Sequence, residues 1–224
     1  MYEKELEKLL TEKGADMVGF SYLGDSVSPD YPQYKYAVTI LRRLSKAVLD
    51  TIDGAPTMAY FQHYRATNAR LDSITLDGIS FIEDMGYLAL PVAASQSTPD
   101  KKEEYRGIFP HKTGAVLSGL GYIGKNGLLL TEKFGSAVRM ATILTDMPLE
   151  PQRPMLECLC GDCMICKNAC PAGAITGEIY VPGAPRNTIF DAKKCSEHMK
   201  TYKNIGRGAV CGLCMAACPK NKRM

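Results

Sequence analysis

The chain has 224 residues, 46% hydrophobic and 23% charged, with a net charge of +3. That balance excludes a disordered polyelectrolyte and lacks the strong basicity of nucleic-acid binders. No apolar run reaches the roughly 18–20 residues that span a bilayer, and the opening MYEKELEKLLTEKG is charged and lacks a signal-peptide core, so the expected compartment is the cytoplasm, with no membrane association.

Residues 2–13 read as an amphipathic helix with Leu6, Leu9 and Leu10 on one face, stopped by Gly14. Met17 to Tyr22 reads as a strand, and Tyr36 to Leu41 as a second, apolar enough to be buried on both sides. A long helix is expected over residues 57–85, with Thr57 as its cap, Gly78 as a weak point and Gly86 at its end. Tyr60, Phe61, Tyr64 and Arg65 form a stripe along it; such a stripe is usually core, and lining a planar cofactor's pocket is the alternative. A strand follows from Tyr87 to Val92, then a polar loop over 93–110, a helix over 111–118, and strands over Gly127–Leu130 and Ala137–Leu144. Pro148, Pro151 and Pro154 stiffen a connector. The expected fold class is α+β: an α/β module over residues 1–150 that binds a cofactor or partner, then a ferredoxin-like domain over 151–224.

All nine cysteines lie between positions 158 and 218. In a cytosolic chain such clustering points to metal rather than to disulfides. The first run, Cys160-x2-Cys163-x2-Cys166-x3-Cys170-Pro171, has the spacing of bacterial two-cluster ferredoxins. Three thiolates three residues apart wrap one cubane; the fourth, expected at the start of a helix that points away, ligates the other. A second run, Cys211-x2-Cys214-x3-Cys218-Pro219, has the same spacing but holds Gly208 where a first cysteine would stand, and Cys195 is the candidate that completes it. One [4Fe–4S] cluster then takes Cys160, Cys163, Cys166 and Cys218, and the other takes Cys170, Cys195, Cys211 and Cys214. Cys158 is left as a spare thiol. Zinc held by four cysteines is the main rival, but it needs neither crossed ligation nor the Cys-Pro endings.

Charge distribution agrees. From residue 158 onward the chain carries ten Lys/Arg against four Asp/Glu, a balance of +6, and the remainder is −3. Two oxidised cubanes, each with a net charge of about −2, are offset by such a segment. Lys167, Lys193, Lys194, Lys200, Lys203 and Arg207 are the available cations. The clusters account for the basic tail better than a nucleic-acid partner does.

Ser118-Gly119-Leu120-Gly121-Tyr122-Ile123-Gly124-Lys125-Asn126-Gly127 holds a GxGxxG pattern without the preceding strand of a Rossmann unit, although Asp146 stands about twenty residues on. It reads either as a cofactor-contacting turn, with Gly119, Gly121, Gly124, Lys125 and Asn126 as the contacts, or as a tight structural turn. His111 is a polar residue at the start of a helix, and His63 and His198 are structural or surface residues without paired ligand spacing.

GLGYIGKNGLLL, Gly135-Ser136, Leu144-Thr145-Asp146, the two cysteine runs and the isolated Cys195, taken together, resemble the epoxyqueuosine reductase family, closely over residues 111–219 and loosely before. That family is similar in its cofactor module and clusters to reductive dehalogenases. The resemblance implies a cobalamin-binding module fed by two [4Fe–4S] clusters. The tRNA-modifying members carry a C-terminal helical-repeat region, and a catalytic Asp thirteen residues before the position matching Ser118. Here that register holds Tyr105, and the chain reads as the short, stand-alone branch of the family. Tyr105 becomes the candidate proton donor; packing under the loop is its alternative role.

The expected function is therefore an iron–sulfur redox enzyme that passes electrons to a corrinoid, with a small-molecule substrate and a ferredoxin- or flavodoxin-type donor. An electron carrier or reductive activator of a partner protein is the alternative, and an FMN enzyme a third reading. Oligomeric state is not legible.

Overall fold

The computed structural model describes residues 2–26, 30–96, 105–206 and 210–223. Arg207, Gly208 and residues 97–104 of the expected loop lie outside the described residues. In chain order the helices and strands are α1 (Tyr2–Glu12), β1 (Met17–Tyr22), β2 (Tyr36–Arg43), α2 (Lys46–Leu49), α3 (Met58–Asp84), β3 (Ala89–Val92), α4 (His111–Leu117), β4 (Tyr122–Ile123), β5 (Leu129–Leu130), β6 (Val138–Thr145), α5 (Ile165–Asn168), α6 (Ala192–Met199) and α7 (Leu213–Ala216).

The chain forms two compact units that interleave in sequence. Unit 1 comprises Met1–Arg43, Ala66–Leu120 and Arg139–Met155; unit 2 comprises Leu44–Arg65, Gly121–Val138 and Leu156–Met224. These units do not coincide with a linear division at residue 150. The physical reason is the second core of the molecule: Leu44, Leu49 and Tyr60 are buried together with Ile205, Val210 and Met215.

Unit 1 is built on a four-stranded sheet in the order β1-β2-β6-β3. β1 and β2 are antiparallel, with Gly19 opposite Thr39, and so are β3 and β6, with Leu90 opposite Leu144. These antiparallel pairs suit an α+β fold, whereas a dinucleotide-binding unit is built from parallel strands joined by crossover helices. Alternation along the strands sends Val18, Phe20, Val38, Ile40, Ala141 and Ile143 to one face, where Leu6 and Leu10 of α1 and Leu71, Ile74 and Ile82 of α3 cover them. Ala37, Val92 and Leu144 point to the other face and meet Phe109 and Leu117. β2 is thus buried on both sides, as its composition required.

Local signals set the helix ends. Gly14 adopts φ +106° after α1 and Gly86 φ +86° after α3, a left-handed conformation that costs glycine little. Thr57 caps α3: the Tyr60 backbone N–H donates to its Oγ1 at 3.1 Å. Gly78, expected as a weak point, interrupts nothing in the 27-residue helix. A Cβ there would lie 2.6 Å from Ile143 Cδ1 and 3.1 Å from Leu10 Cδ2, so its role is to let α3 approach the sheet and α1.

In unit 2 the expected strand over 127–130 shortens to β5 and pairs with β4, a two-residue strand inside the glycine-rich segment that periodicity does not reveal. Asn221 ties this region to the C-terminal end: its Oδ1 accepts from Ser136 N–H at 2.8 Å and its Nδ2 donates to Met215 O at 2.6 Å. The Asp191 side chain caps α6 by accepting from Lys194 N–H at 3.0 Å. Among the described residues, no helix is long and apolar enough to cross a membrane.

Candidate metal centre

The two cysteine runs fold as matched half-motifs. Cys166 is the second residue of α5 and Cys214 the second residue of α7, and these two short helices pack on each other. Cys170 and Cys218 each follow the end of their helix. Cys170 was expected to open a helix; instead its N–H closes α5 on Lys167 O at 3.2 Å. The Cys-Pro step then turns the chain, closed by Gly173 N–H on Cys170 O at 3.1 Å. Between Cys211 and Cys214 stands Gly212, with φ +78° and the Tyr60 ring 2.8 Å from where a Cβ would sit. Both facts require glycine there.

Cys160, Cys163, Cys166 and Cys218 line one cavity of about 50 Å³, together with Lys125 and Asn126. The cavity thus joins three thiols of the first run to the last cysteine of the second, the grouping that crossed ligation requires. Burial pushes the Cys160 thiol up to about 11; a hydrogen bond from the Lys125 backbone opposes this, and the nearby Cys158 and Cys218 add to it. Cys166 is raised by burial and then by Cys218. Cys158 thus sits beside Cys160 but does not line the cavity.

The remaining four cysteines also associate. Burial raises the Cys195 thiol to about 11, with Cys211 and Cys170 adding to the shift. Burial raises Cys214 too, followed by the effects of Cys211, Cys195 and Cys170. Cys195, far from both runs in sequence, is delivered by α6. Two polar groups address the sulfurs here: Ala174 N–H donates to Cys170 Sγ at 3.4 Å, and Tyr202 Oη lies 3.7 Å from Cys211 Sγ, positioned to donate to a thiolate. His198 stacks edge-on against Tyr202, with Nε2 3.1 Å from its hydroxyl, so it orients that phenol.

The donor set fits a soft, thiolate-bound centre. Half-buried and crowded by one another, Cys160, Cys166, Cys195 and Cys214 resist ionisation while protonated, and binding iron displaces their protons. Among the described residues, no three Cys, His, Asp or Glu side chains converge as a single ion requires. A cubane instead spaces its thiolates around a body of iron and sulfide.

The glycine-rich segment belongs to this wall. A Cβ on Gly121 would lie 2.3 Å from Leu130 O, and one on Gly124 would lie 2.5 Å from Leu130 Cδ1 and 3.5 Å from Cys160 Sγ. Gly119, in unit 1, has φ +68°, and a Cβ there would lie 2.5 Å from Arg153 O. These glycines permit close approach of the chain to itself. Lys125 and Asn126, at 5% and 3% exposure, are the members of the segment that reach the cavity. By contrast Lys167, Lys193, Lys194, Lys200 and Lys203, read from sequence as the balancing cations, are exposed. The sequence placed Lys125 in a turn that either contacts a cofactor or is structural and missed it as a cation beside the thiols; its burial was the missing signal.

Other sequence candidates are resolved by their contacts. Asp146 accepts from Leu88 N–H at 2.8 Å, a structural role. His63 Nε2 accepts from Ser45 N–H at 2.9 Å. Tyr60 is core, packed with Phe61 and Tyr64 in unit 2, and Arg65 lies over the Phe61 ring at 5.6 Å. His111 is more than a cap: its Nε2 is 2.9 Å from Ala93 O and its Nδ1 is 2.8 Å from Thr142 Oγ1. Because a carbonyl only accepts, the neutral ring carries its proton on Nε2 and accepts from Thr142 on Nδ1. Tyr105 is 42% exposed and holds φ +64°, an uncommon conformation for a residue other than glycine.

Residues 159–221 match the 4Fe-4S double cluster binding domain. An epoxyqueuosine reductase of Staphylococcus aureus is 30% identical over 126 residues, which is 52% of this chain and 30% of that protein. The chain spans between 28% and 48% of the length of the first such relatives. In fold, a catabolic reductive dehalogenase superposes with TM-score 0.77 at 20% identity, covering 98% of this chain and 32% of that one. An epoxyqueuosine reductase superposes with TM-score 0.61 at 22% identity, covering 99% and 66%. The resemblance to epoxyqueuosine reductases, with reductive dehalogenases as structural neighbours, is thus a finding, and the C-terminal segment carries a double-cluster domain.

Proposed function

We propose that this chain is an iron–sulfur reductase with two [4Fe–4S] clusters and a corrinoid-dependent reaction. Cys160, Cys163, Cys166 and Cys218 would hold one cluster; Cys170, Cys195, Cys211 and Cys214 would hold the other. The observation that carries the reading is the cavity lined by thiols of both half-motifs. When bound, the clusters supply one-electron steps and a corrinoid supplies a strongly reducing cobalt centre. The chain's own part is to desolvate the thiolates and aim donors at sulfur, Ala174 N–H at Cys170 and Tyr202 Oη at Cys211. The cytoplasm is the natural compartment, because it keeps such thiols reduced.

Among the described residues, Ser21 Oγ, Thr39 Oγ1 and Gln96 Nε2 are buried without a partner. Thr39 Oγ1 faces α4, only 2.5 Å from where a Gly114 Cβ would sit, and is closed off by protein. The corrinoid therefore rests on likeness to the relatives, and no residue is assigned to it. An epoxyqueuosine reductase has been seen with a tRNA stem loop. Here Tyr105 stands at the register of that family's acid, which favours a small-molecule substrate, with Tyr105 as the candidate proton donor and a ferredoxin or flavodoxin as electron donor.

Anaerobically purified protein should contain about eight iron and eight sulfide per chain and co-elute with added cobalamin in gel filtration. Zinc in place of iron overturns the cluster reading. Full iron without cobalamin retention overturns the corrinoid reading and leaves an electron carrier or activator; retained FMN points to a flavin enzyme.

A further inference from the structure

We propose that Lys125 is the buried counter-charge of the cluster held by Cys160, Cys163, Cys166 and Cys218, and that it raises the reduction potential of that cluster. The inference rests on the cluster reading above.

Lys125 is 5% exposed and lines the four-thiol cavity. Among the described residues, the contact of its Nζ is Met164 Sδ at 3.9 Å, and a thioether is a weak acceptor. Among the described residues, no carboxylate lines the cavity. A buried ammonium without an anion is costly, so the missing negative charge must come from what the cavity holds. A cubane with four thiolates provides it.

The local backbone presents this side chain. Gly124 N–H donates to Leu128 O at 2.9 Å, Gly127 N–H to Gly124 O at 2.8 Å, and Leu128 N–H to Asn126 Oδ1 at 3.1 Å. This turn holds Lys125 between glycines that admit no side chain. Gly124 itself lies so close to Cys160 Sγ that a Cβ would stand 3.5 Å away. The glycine-rich segment thus delivers one cation to one cluster. Lys220 lines the same cavity but is exposed, so water screens its charge.

Reduction adds one negative charge to the cubane. A fixed buried cation favours the reduced form more than the oxidised one, and the potential rises. The test is Lys125→Met, Lys125→Arg and Lys220→Met in the whole cluster-loaded chain described above, with iron counted and both potentials read by EPR-monitored titration. Lys125→Met should lower one potential by at least tenfold in the reduction equilibrium, about 59 mV for one electron. Lys125→Arg should recover most of it, and Lys220→Met should shift it less. In a Cys214→Ser background, which keeps the cluster beside Lys125, the shift should persist; in a Cys218→Ser background it should vanish. If Lys125→Met loses about four irons while Lys125→Arg keeps them, the charge requirement is likewise supported. Unchanged potentials in a fully loaded Lys125→Met, or loss of iron from both Lys125 variants, overturns the proposal. Absence of iron from the parent chain overturns the cluster reading itself, and this inference with it.

Discussion

Serine substitutions at Cys160, Cys214 and Cys218, singly and in pairs, separate crossed from uncrossed ligation by iron count alone. Each cubane needs four thiolates, and a serine hydroxyl is a poor substitute for a soft ligand. Every single variant should fall from about eight irons to about four. The pairs are decisive. Cys160 and Cys218 line one cavity, so the second substitution removes nothing further and Cys160→Ser/Cys218→Ser retains about four irons. Cys214 lies instead with Cys211, Cys195 and Cys170, so Cys214→Ser/Cys218→Ser should retain almost none, although the two residues belong to one sequence run. Uncrossed ligation predicts the reverse for both pairs. The assay is iron and sulfide analysis of anaerobically reconstituted protein, with far-ultraviolet circular dichroism to verify folding. About four irons in Cys214→Ser/Cys218→Ser would refute the crossed assignment.

Other outcomes follow from the packing. His111 is held down to about 4, chiefly by burial. The unfolded chain takes up a proton near 6.5 while the folded chain does not until about 4, so this residue's stabilisation is lost as pH falls through that window, by at most about 3 kcal/mol. Urea unfolding of the parent and His111→Gln should show a stability difference that narrows from pH 6.5 to 4; a pH-independent difference refutes the neutral, half-buried ring. Gly121→Ala drives a methyl into Leu130 O at 2.3 Å, an overpacking expected to cost about 3 kcal/mol. It should lower the melting temperature and deplete the cluster at the Lys125 cavity; an unshifted melting curve counts against the hairpin geometry. Asn221→Ala removes a bridge between Ser136 and Met215 O and strands buried partners, at about 2–4 kcal/mol, which denaturant titration measures.

The cysteine spacing was legible because most of a cubane's grip is local: two or three of its ligands fall within one short loop, and their intervals record its size. Amphipathic α1 and the doubly buried β2 were legible for the same reason, since period and composition report the faces of an element. Thr57 and Gly86 were readable as ends because caps act within a few residues. What the sequence could not declare were relations between distant segments. β4 is two residues long and exists only because β5 lies opposite it. Leu44–Arg65 and Gly121–Val138 join the cysteine-rich segment through a shared core, not through proximity in the chain. Gly78 looked like a defect until Ile143 and Leu10 were seen to fill its place. Lys125 looked like part of a cofactor-contacting or merely structural turn, one lysine among many. Only tertiary structure buried it beside four thiols, and burial, by stripping water from an ammonium, turns an ordinary surface residue into a charge that must be answered.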